Sequence, residues 1–309
     1  MRKLLFHRDF RGLTGGHLKV WDYFNHTKES AFFEPEIYLS PSSLRNEANP
    51  WIASGEQVLN QWNPGEADAL FLAGLDWLAV PEDCDKPVIN LVQGLRHALP
   101  EDPRYAFLRR RASRICVSQQ VAEAIVSTGQ VNGPVVTISN GLNLANLPVP
   151  AKKRDIPVLI AGYKEPNFAE FLSDSLRTSG IPAFCLTRKL PRSEYLSLVI
   201  RSQVTVFLPN RLLGEGVYLP ALEGMALGTL VVCPDCVGNR DFCIHGNNCF
   251  MPEYSTNALS AACLEALNSD AAQINSLQKN SRLMAELHDM EAEKKSYFGV
   301  LESLTHAWV

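Results

Sequence analysis

Two glutamates eight residues apart, Glu215 and Glu223, carry the most chemistry in this chain. Glu215 sits among Gly214 and Gly216, and Glu223 falls about one turn past a helix start at Leu219. A carboxylate is a good acceptor for paired sugar hydroxyls. The two glycines let a backbone approach a ligand closely, and Pro220 suits a first helical turn, whose free N–H groups attract oxygen-rich or anionic ligands. Upstream, Val204-Thr205-Val206-Phe207 is β-branched and apolar enough for a buried parallel strand. Strand, loop and helix therefore hold both acids toward one cleft at different depths.

This stretch resembles the Glu-x7-Glu signature of GT-B glycosyltransferases, in particular the large retaining class numbered family 4. The usual form there is Glu-Gly-Phe-Gly-Leu-Pro-x-Leu-Glu-Ala-Met-Ala, and Glu215-Gly216, Leu219-Pro220, Leu222-Glu223 and Met225-Ala226 stand at the matching places. Tyr218 departs from it, standing where a second glycine is usual. The resemblance implies that Glu223 holds the ribose hydroxyls and Glu215 those of the donor sugar. Gly214, Gly216, Val217, Tyr218 and Leu219 would line the donor, with no cofactor and no metal.

Other residues join by the same resemblance. Gly15 and Gly16, in Thr14-Gly15-Gly16-His17, would bring backbone N–H groups to the diphosphate and acceptor, although a tight strand-to-helix turn also uses such glycines for geometry alone. His97 follows Asn90-Leu91-Val92-Gln93 and is the candidate near the reacting centre; a surface histidine on a basic loop is its alternative. Lys164 would neutralise the leaving diphosphate. Ala169 occupies the place of a second lysine, so Arg188, Lys189 or Arg211 would substitute, each of which also reads as a solvated surface charge. Ile138-Ser139-Asn140-Gly141-Leu142 and Leu190–Leu196 extend the likeness as scaffold, over roughly residues 138–267, and Gly238-Asn239-Arg240-Asp241 reads as a wall of the nucleotide pocket or, equally, as a structural turn.

The elements that must position these groups follow from alternation. Short β-like runs at Lys3–Phe6, Glu36–Leu39, Ala69–Ala73, Val88–Val92, Arg114–Val117 and Val135–Ile138 alternate with helical patterns, the mark of βαβ units and a parallel sheet. Leu147-Pro148-Val149-Pro150-Ala151 reads as a linker. The alternation resumes at Val158–Ile160, Ala183–Leu186, Gln203–Phe207 and Leu230–Cys233, with a weaker run at Asn248–Met251; beyond Ser255 the chain is helical, ending in Met290–Thr305. The expected fold is α/β, two Rossmann-like domains facing each other across a cleft, with a C-terminal helix crossing back to the first. The expected boundaries are 1–150 for an acceptor domain, 151–287 for a nucleotide-sugar donor domain and 288–309 for the crossing helix.

Composition limits the partners. The chain has 309 residues, 46% hydrophobic and 20% charged, and its net charge of −4 argues against general nucleic-acid binding. No apolar run approaches the length of a membrane span, and eight scattered cysteines suit reduced thiols, so a cytoplasmic protein is expected. The arginines at 96, 104, 109, 110, 111 and 114 have two readings: a solvated helix face, or a basic patch giving peripheral contact with an anionic membrane surface on its inner face. On the second, replacing Arg109, Arg110 and Arg111 by serine would weaken liposome binding and leave folding intact. Cys233, Cys236, Cys243 and Cys249 imitate a zinc set and Asp83-Cys84-Asp85 a GT-A metal site; both read better as structural.

The function expected is sugar transfer from a nucleotide-sugar to a hydroxyl of a glycan, glycolipid or other acceptor, with retention, in polysaccharide or glycolipid biosynthesis. Two alternatives stay open: an epimerase of the same fold, and a catalytically inactive subunit that binds a partner transferase.

Overall fold

The computed structural model describes residues 2–304 except 13, 152 and 213. The chain divides into two compact units, residues 1–140 with 291–309, and residues 141–290. Leu147–Ala151, read as the linker, thus lies inside the second unit.

In the first unit the strands are β1 (Arg2–Arg8), β2 (Phe33–Leu39), β3 (Val58–Leu59), β4 (Ala69–Ala73), β5 (Val88–Val92), β6 (Ser113–Cys116) and β7 (Val135–Thr137), with helices α1 (Gly15–Lys28), α2 (Pro50–Ala53) and α3 (Gln119–Ser127). Among the described residues they form one parallel sheet in the order β3-β2-β1-β4-β5-β6-β7. Strands β4 and β5 are buried throughout, which suits the apolar run of β4 and of β5, where buried Asn90 breaks the run and donates to Leu72 O at 3.1 Å. Gly15 begins α1 because Thr14 caps it, its side chain accepting the His17 N–H at 3.4 Å.

The second unit holds β8 (Ile156–Ala161), α4 (Pro166–Thr178), β9 (Ala183–Leu186), α5 (Arg192–Arg201), β10 (Ser202–Phe207), α6 (Leu219–Ala226), β11 (Leu230–Val232), α7 (Thr256–Asn268) and α8 (Ala271–Leu287). Its parallel sheet has the order β11-β10-β8-β9. The weak run at Asn248–Met251 is not a strand: Phe250 makes a single bridge to Val232, and the turn at Gly246 (φ +73°) and Pro252 bound the segment too closely for a ladder.

The last helix, α9 (Met290–Leu304), belongs to the first unit from Glu291 onward. Tyr297 packs edge-on against Tyr23 at 4.8 Å and its hydroxyl lies 2.8 Å from Thr27 Oγ1, while buried Glu293 pairs with Lys19 at 2.7 Å. Thr305, expected as its last residue, lies outside the described residues. Where the chain leaves and re-enters the first unit its two passes run side by side: Leu142 N–H donates to His288 O at 2.7 Å, and a β-carbon on Gly141 would lie 2.7 Å from Met290 Cα. Only glycine fits there.

Candidate functional site

The loops that carry the expected site residues of the second unit all leave the carboxyl ends of its strands, where ligands of open α/β sheets gather. After β10, Gly214 takes φ +62°, which turns the chain toward α6. The loop is then laced to residues 236–238: Glu215 N–H donates to Cys236 O and Tyr218 N–H to Gly238 O, each at 2.9 Å. Tyr218 explains its departure from glycine. Its ring is buried in the core with Phe207, Leu222 and Met225, so it anchors the loop from beneath, and its N–H is already engaged.

The supporting loop is itself strained. Val237 holds φ +68°, a left-handed conformation that costs a β-branched residue about 1–3 kcal/mol and that Asp235 helps hold by accepting its N–H at 3.0 Å. A β-carbon on Gly238 would come within 2.6 Å of Glu215 O and 2.8 Å of Val217 N, both backbone atoms. Gly238→Ala is therefore expected to displace the Glu215 loop and lower stability by about 1–3 kcal/mol, read from the urea midpoint; an unchanged midpoint would mean the loops separate freely.

Two groups of polar side chains result. In the first, Lys164 Nζ lies 2.6 Å from Glu215 Oε1 and 5.2 Å from the centre of the Tyr218 ring, and the Asn210 N–H donates to the same oxygen at 3.2 Å. In the second, Glu223 is buried on α6 and Arg192 Nη2 reaches its Oε1 at 2.7 Å. Burial pushes the Glu223 carboxyl above its ordinary value, and Arg192 opposes the rise. The phenols of Tyr163 and Tyr195 face this carboxylate, and both are raised, chiefly by burial.

The other expected residues are placed as follows. Ala169 is buried against Gly162, too tightly for a cation at that position. Arg188 is exposed and lines a cavity of about 720 Å³ beside β9 and α5, together with Phe184, Leu186, Thr187, Leu190 and Glu194. The Arg211 guanidinium lies 5.0 Å from each of the Phe168 and Tyr254 rings, and the Arg211 backbone N–H donates to Glu165 Oε1 at 3.0 Å, so the residue pins its own loop. Gly216, Val217 and Leu219 are partly buried along the same turn.

In the first unit, Gly15 and Gly16 open α1 and Gln93 Nε2 donates to Gly16 O at 3.2 Å. His97 is buried, and desolvation, aided by Arg104, pushes its imidazole down to about 3, so it is neutral at ordinary pH.

The arginines read as a basic patch are partly structural. Arg110 donates to the carbonyls of Trp77, Val80 and Pro81 and lies 4.6 Å over the Trp77 ring; Arg114 is wholly buried; Arg104 pairs with Asp102 at 2.9 Å. Substituting Arg110 would thus disturb the fold, contrary to the expectation that the triple serine variant leaves it intact. Cys233, Cys236, Cys243 and Cys249 share one apolar core cluster, and among the described residues no group of three or more His, Cys, Asp or Glu is placed to hold a metal ion.

Two polar features were not read from the sequence. Arg192, the partner of Glu223, stands within a segment taken as scaffold; its position one residue after Pro191, opening the helix after a strand, was the available signal. Asp76 draws together His7 Nδ1 at 3.0 Å and Arg8 Nη1 at 2.9 Å in the first unit, and no spacing links these three.

Residues 116–269 match the family model described as glycosyl transferases group 1. No curated protein sequence matches the chain. Among solved structures, sucrose-phosphate synthase (tll1590) from Thermosynechococcus elongatus is similar at TM-score 0.71 and 15% identity, over 99% of this chain and 100% of that one. Anabaena Alr3699/HepE in complex with UDP gives TM-score 0.73 at 13% identity, over 98% and 100%. A glycosyltransferase from Rickettsia africae ESF-5 gives 0.68 at 12%, over 99% of each chain. These likenesses show the fold: two parallel-sheet α/β units, as expected from the alternation, of the GT-B type that the resemblance implied. Family match and fold together support a GT-B glycosyltransferase.

Proposed function

We propose that the protein transfers a sugar with retention from a nucleotide-sugar donor to an acceptor hydroxyl of a glycan or glycolipid. The observation that carries the reading is the separation of the two signature glutamates into distinct polar settings, Glu223 buried beside Arg192 and Glu215 on Lys164, at the carboxyl edge of one sheet within the segment that matches the family. Glu223 receives the ribose hydroxyls and Glu215 those of the donor sugar. As the glycosidic bond to the diphosphate breaks, positive charge grows on the sugar ring and negative charge on the leaving oxygens. The Glu215 carboxylate lies toward the first, and Lys164 turns from Glu215 to the second. Alanine stands at the place of a second lysine, so Arg188 supplies the remaining countercharge.

The HepE structures carry UDP and UDP-glucose, which makes UDP-sugars the first donors to test. Thermal unfolding with UDP, GDP, ADP and their sugar conjugates is the experiment: a ligand at one hundred times its dissociation constant stabilises by about 2.7 kcal/mol, a shift of several degrees. A shift with one nucleotide family is expected. No shift with any of them would favour the second reading, an inactive subunit, to which the buried neutral His97 and the alanine at position 169 also point.

A further inference from the structure

Arg192 breaks a local rule. It occupies the first position of α5, where the helix dipole disfavours a cation, and Pro191 before it offers no side-chain cap. A rule broken at a single position usually marks a gain elsewhere. Here the gain is geometric: Arg192 is 63% exposed along its side chain, yet its Nη2 reaches 2.7 Å from Oε1 of a carboxylate that is 8% exposed. Exposed ion pairs contribute little, but a buried carboxylate without a partner is costly, so this pair matters through Glu223 rather than through Arg192.

Among the described residues the remaining surroundings of Glu223 offer no other charge. Tyr163, beyond the end of β8, and Tyr195, one turn along α5 from Arg192, are the titratable groups that face it besides Arg192, and both phenols are neutral at ordinary pH. The Tyr195 hydroxyl is buried with no hydrogen-bond partner among the described residues. Among the described residues Glu223 Oε1 is taken by Arg192, and no hydrogen bond or ion pair engages Oε2.

We infer that Arg192 is a positioning residue for nucleotide binding: its guanidinium neutralises and orients the buried Glu223 carboxylate through Oε1, leaving Oε2 to the ribose hydroxyls. The inference rests on the proposed role of Glu223 and adds what keeps that residue an anion in an apolar setting. Burial alone drives the carboxyl toward its protonated form, which would donate one hydrogen bond where it must accept two.

The test combines two readouts. In ligand-free protein labelled with carboxyl-13C glutamate, the Glu223 signal, assigned by its loss in Glu223→Gln, is titrated in wild type, Arg192→Gln and Arg192→Lys. UDP binding is measured by calorimetry at pH 8 and pH 5 in the same proteins. In Arg192→Gln, Glu223 is expected to take its proton at higher pH than in wild type. UDP affinity is expected to fall about tenfold further than the wild type's between the two pH values, the loss of one charge-assisted hydrogen bond. The comparison with wild type cancels the titration of UDP itself, and Arg192→Lys should recover most of both effects. An unmoved Glu223 titration overturns the inference. So does a moved titration with an unchanged pH profile of UDP binding, or tighter UDP binding by Arg192→Gln at both pH values, which would make Arg192 a competitor of the ligand. Wild type that binds no UDP would refute the donor assignment, while the titration still decides whether Arg192 holds Glu223 as an anion.

Discussion

Glu215→Gln is expected to lose about a hundredfold or more in turnover while binding UDP as tightly as wild type, and Glu223→Gln to lose UDP affinity first. The two settings give the reason. Glu223 is buried and has a single cationic partner, so its charge is available to the ribose; the amide keeps the shape but not the charge, a loss of about 1.5–3 kcal/mol, or roughly 10- to 100-fold in affinity. Glu215 is tied to Lys164 at 2.6 Å before any donor arrives. Neutralising it frees the lysine for the diphosphate, so UDP affinity should hold or rise, whereas the carboxylate facing the sugar is missing when charge develops. Calorimetry with UDP and turnover with the full donor give both quantities. Equal losses of UDP affinity in the two variants would overturn the division of roles.

The central strands were legible because they are buried on both faces. Ala69–Ala73 is wholly apolar and Val88–Val92 is apolar but for Asn90, and their limits coincide with those read from the sequence. Glu215 and Glu223 were legible because glycines, Pro220 and a β-branched strand fix their spacing locally. What stayed hidden depends on contacts distant in the chain. Arg192 finds Glu223 across 31 residues, and Asp76 meets His7 and Arg8 from the turn after β4; neither pairing leaves a period or a motif. The crossing of the chain beside Gly141 has the same character. Its glycine was visible in Asn140-Gly141-Leu142, but the reason for it is the backbone of Met290. The arginines show the limit most clearly, since exposed and buried guanidinium groups look alike in a sequence.

Arg114 gives the largest stability effect expected. It is fully buried, and its guanidinium reaches five carbonyls: Nη1 donates to Ala112 and Asn132, at 3.3 and 2.6 Å, and Nη2 to Phe107, Leu108 and Arg110, at 3.0, 2.8 and 2.6 Å. Burial lowers its pKa to about 10, so the group stays charged at neutral pH, and backbone dipoles stand in for a counterion. These carbonyls belong to the turn before β6 and to Asn132 before β7, so one side chain closes the end of the sheet that neither strand could close alone. Arg114→Met fills much of the volume but leaves all five acceptors without this donor. The expected loss is about 3–5 kcal/mol, as for breaking a buried ionic group, and it would lower the melting temperature by roughly 10 °C. Arg114→Lys keeps the charge, yet a single ammonium cannot spread over five carbonyls as a planar fork does, so it should recover less than half of the loss. Melting curves of the three proteins at pH 7 decide it. A melting temperature for Arg114→Met within about 2 °C of wild type would mean that water satisfies these carbonyls as well as the guanidinium does.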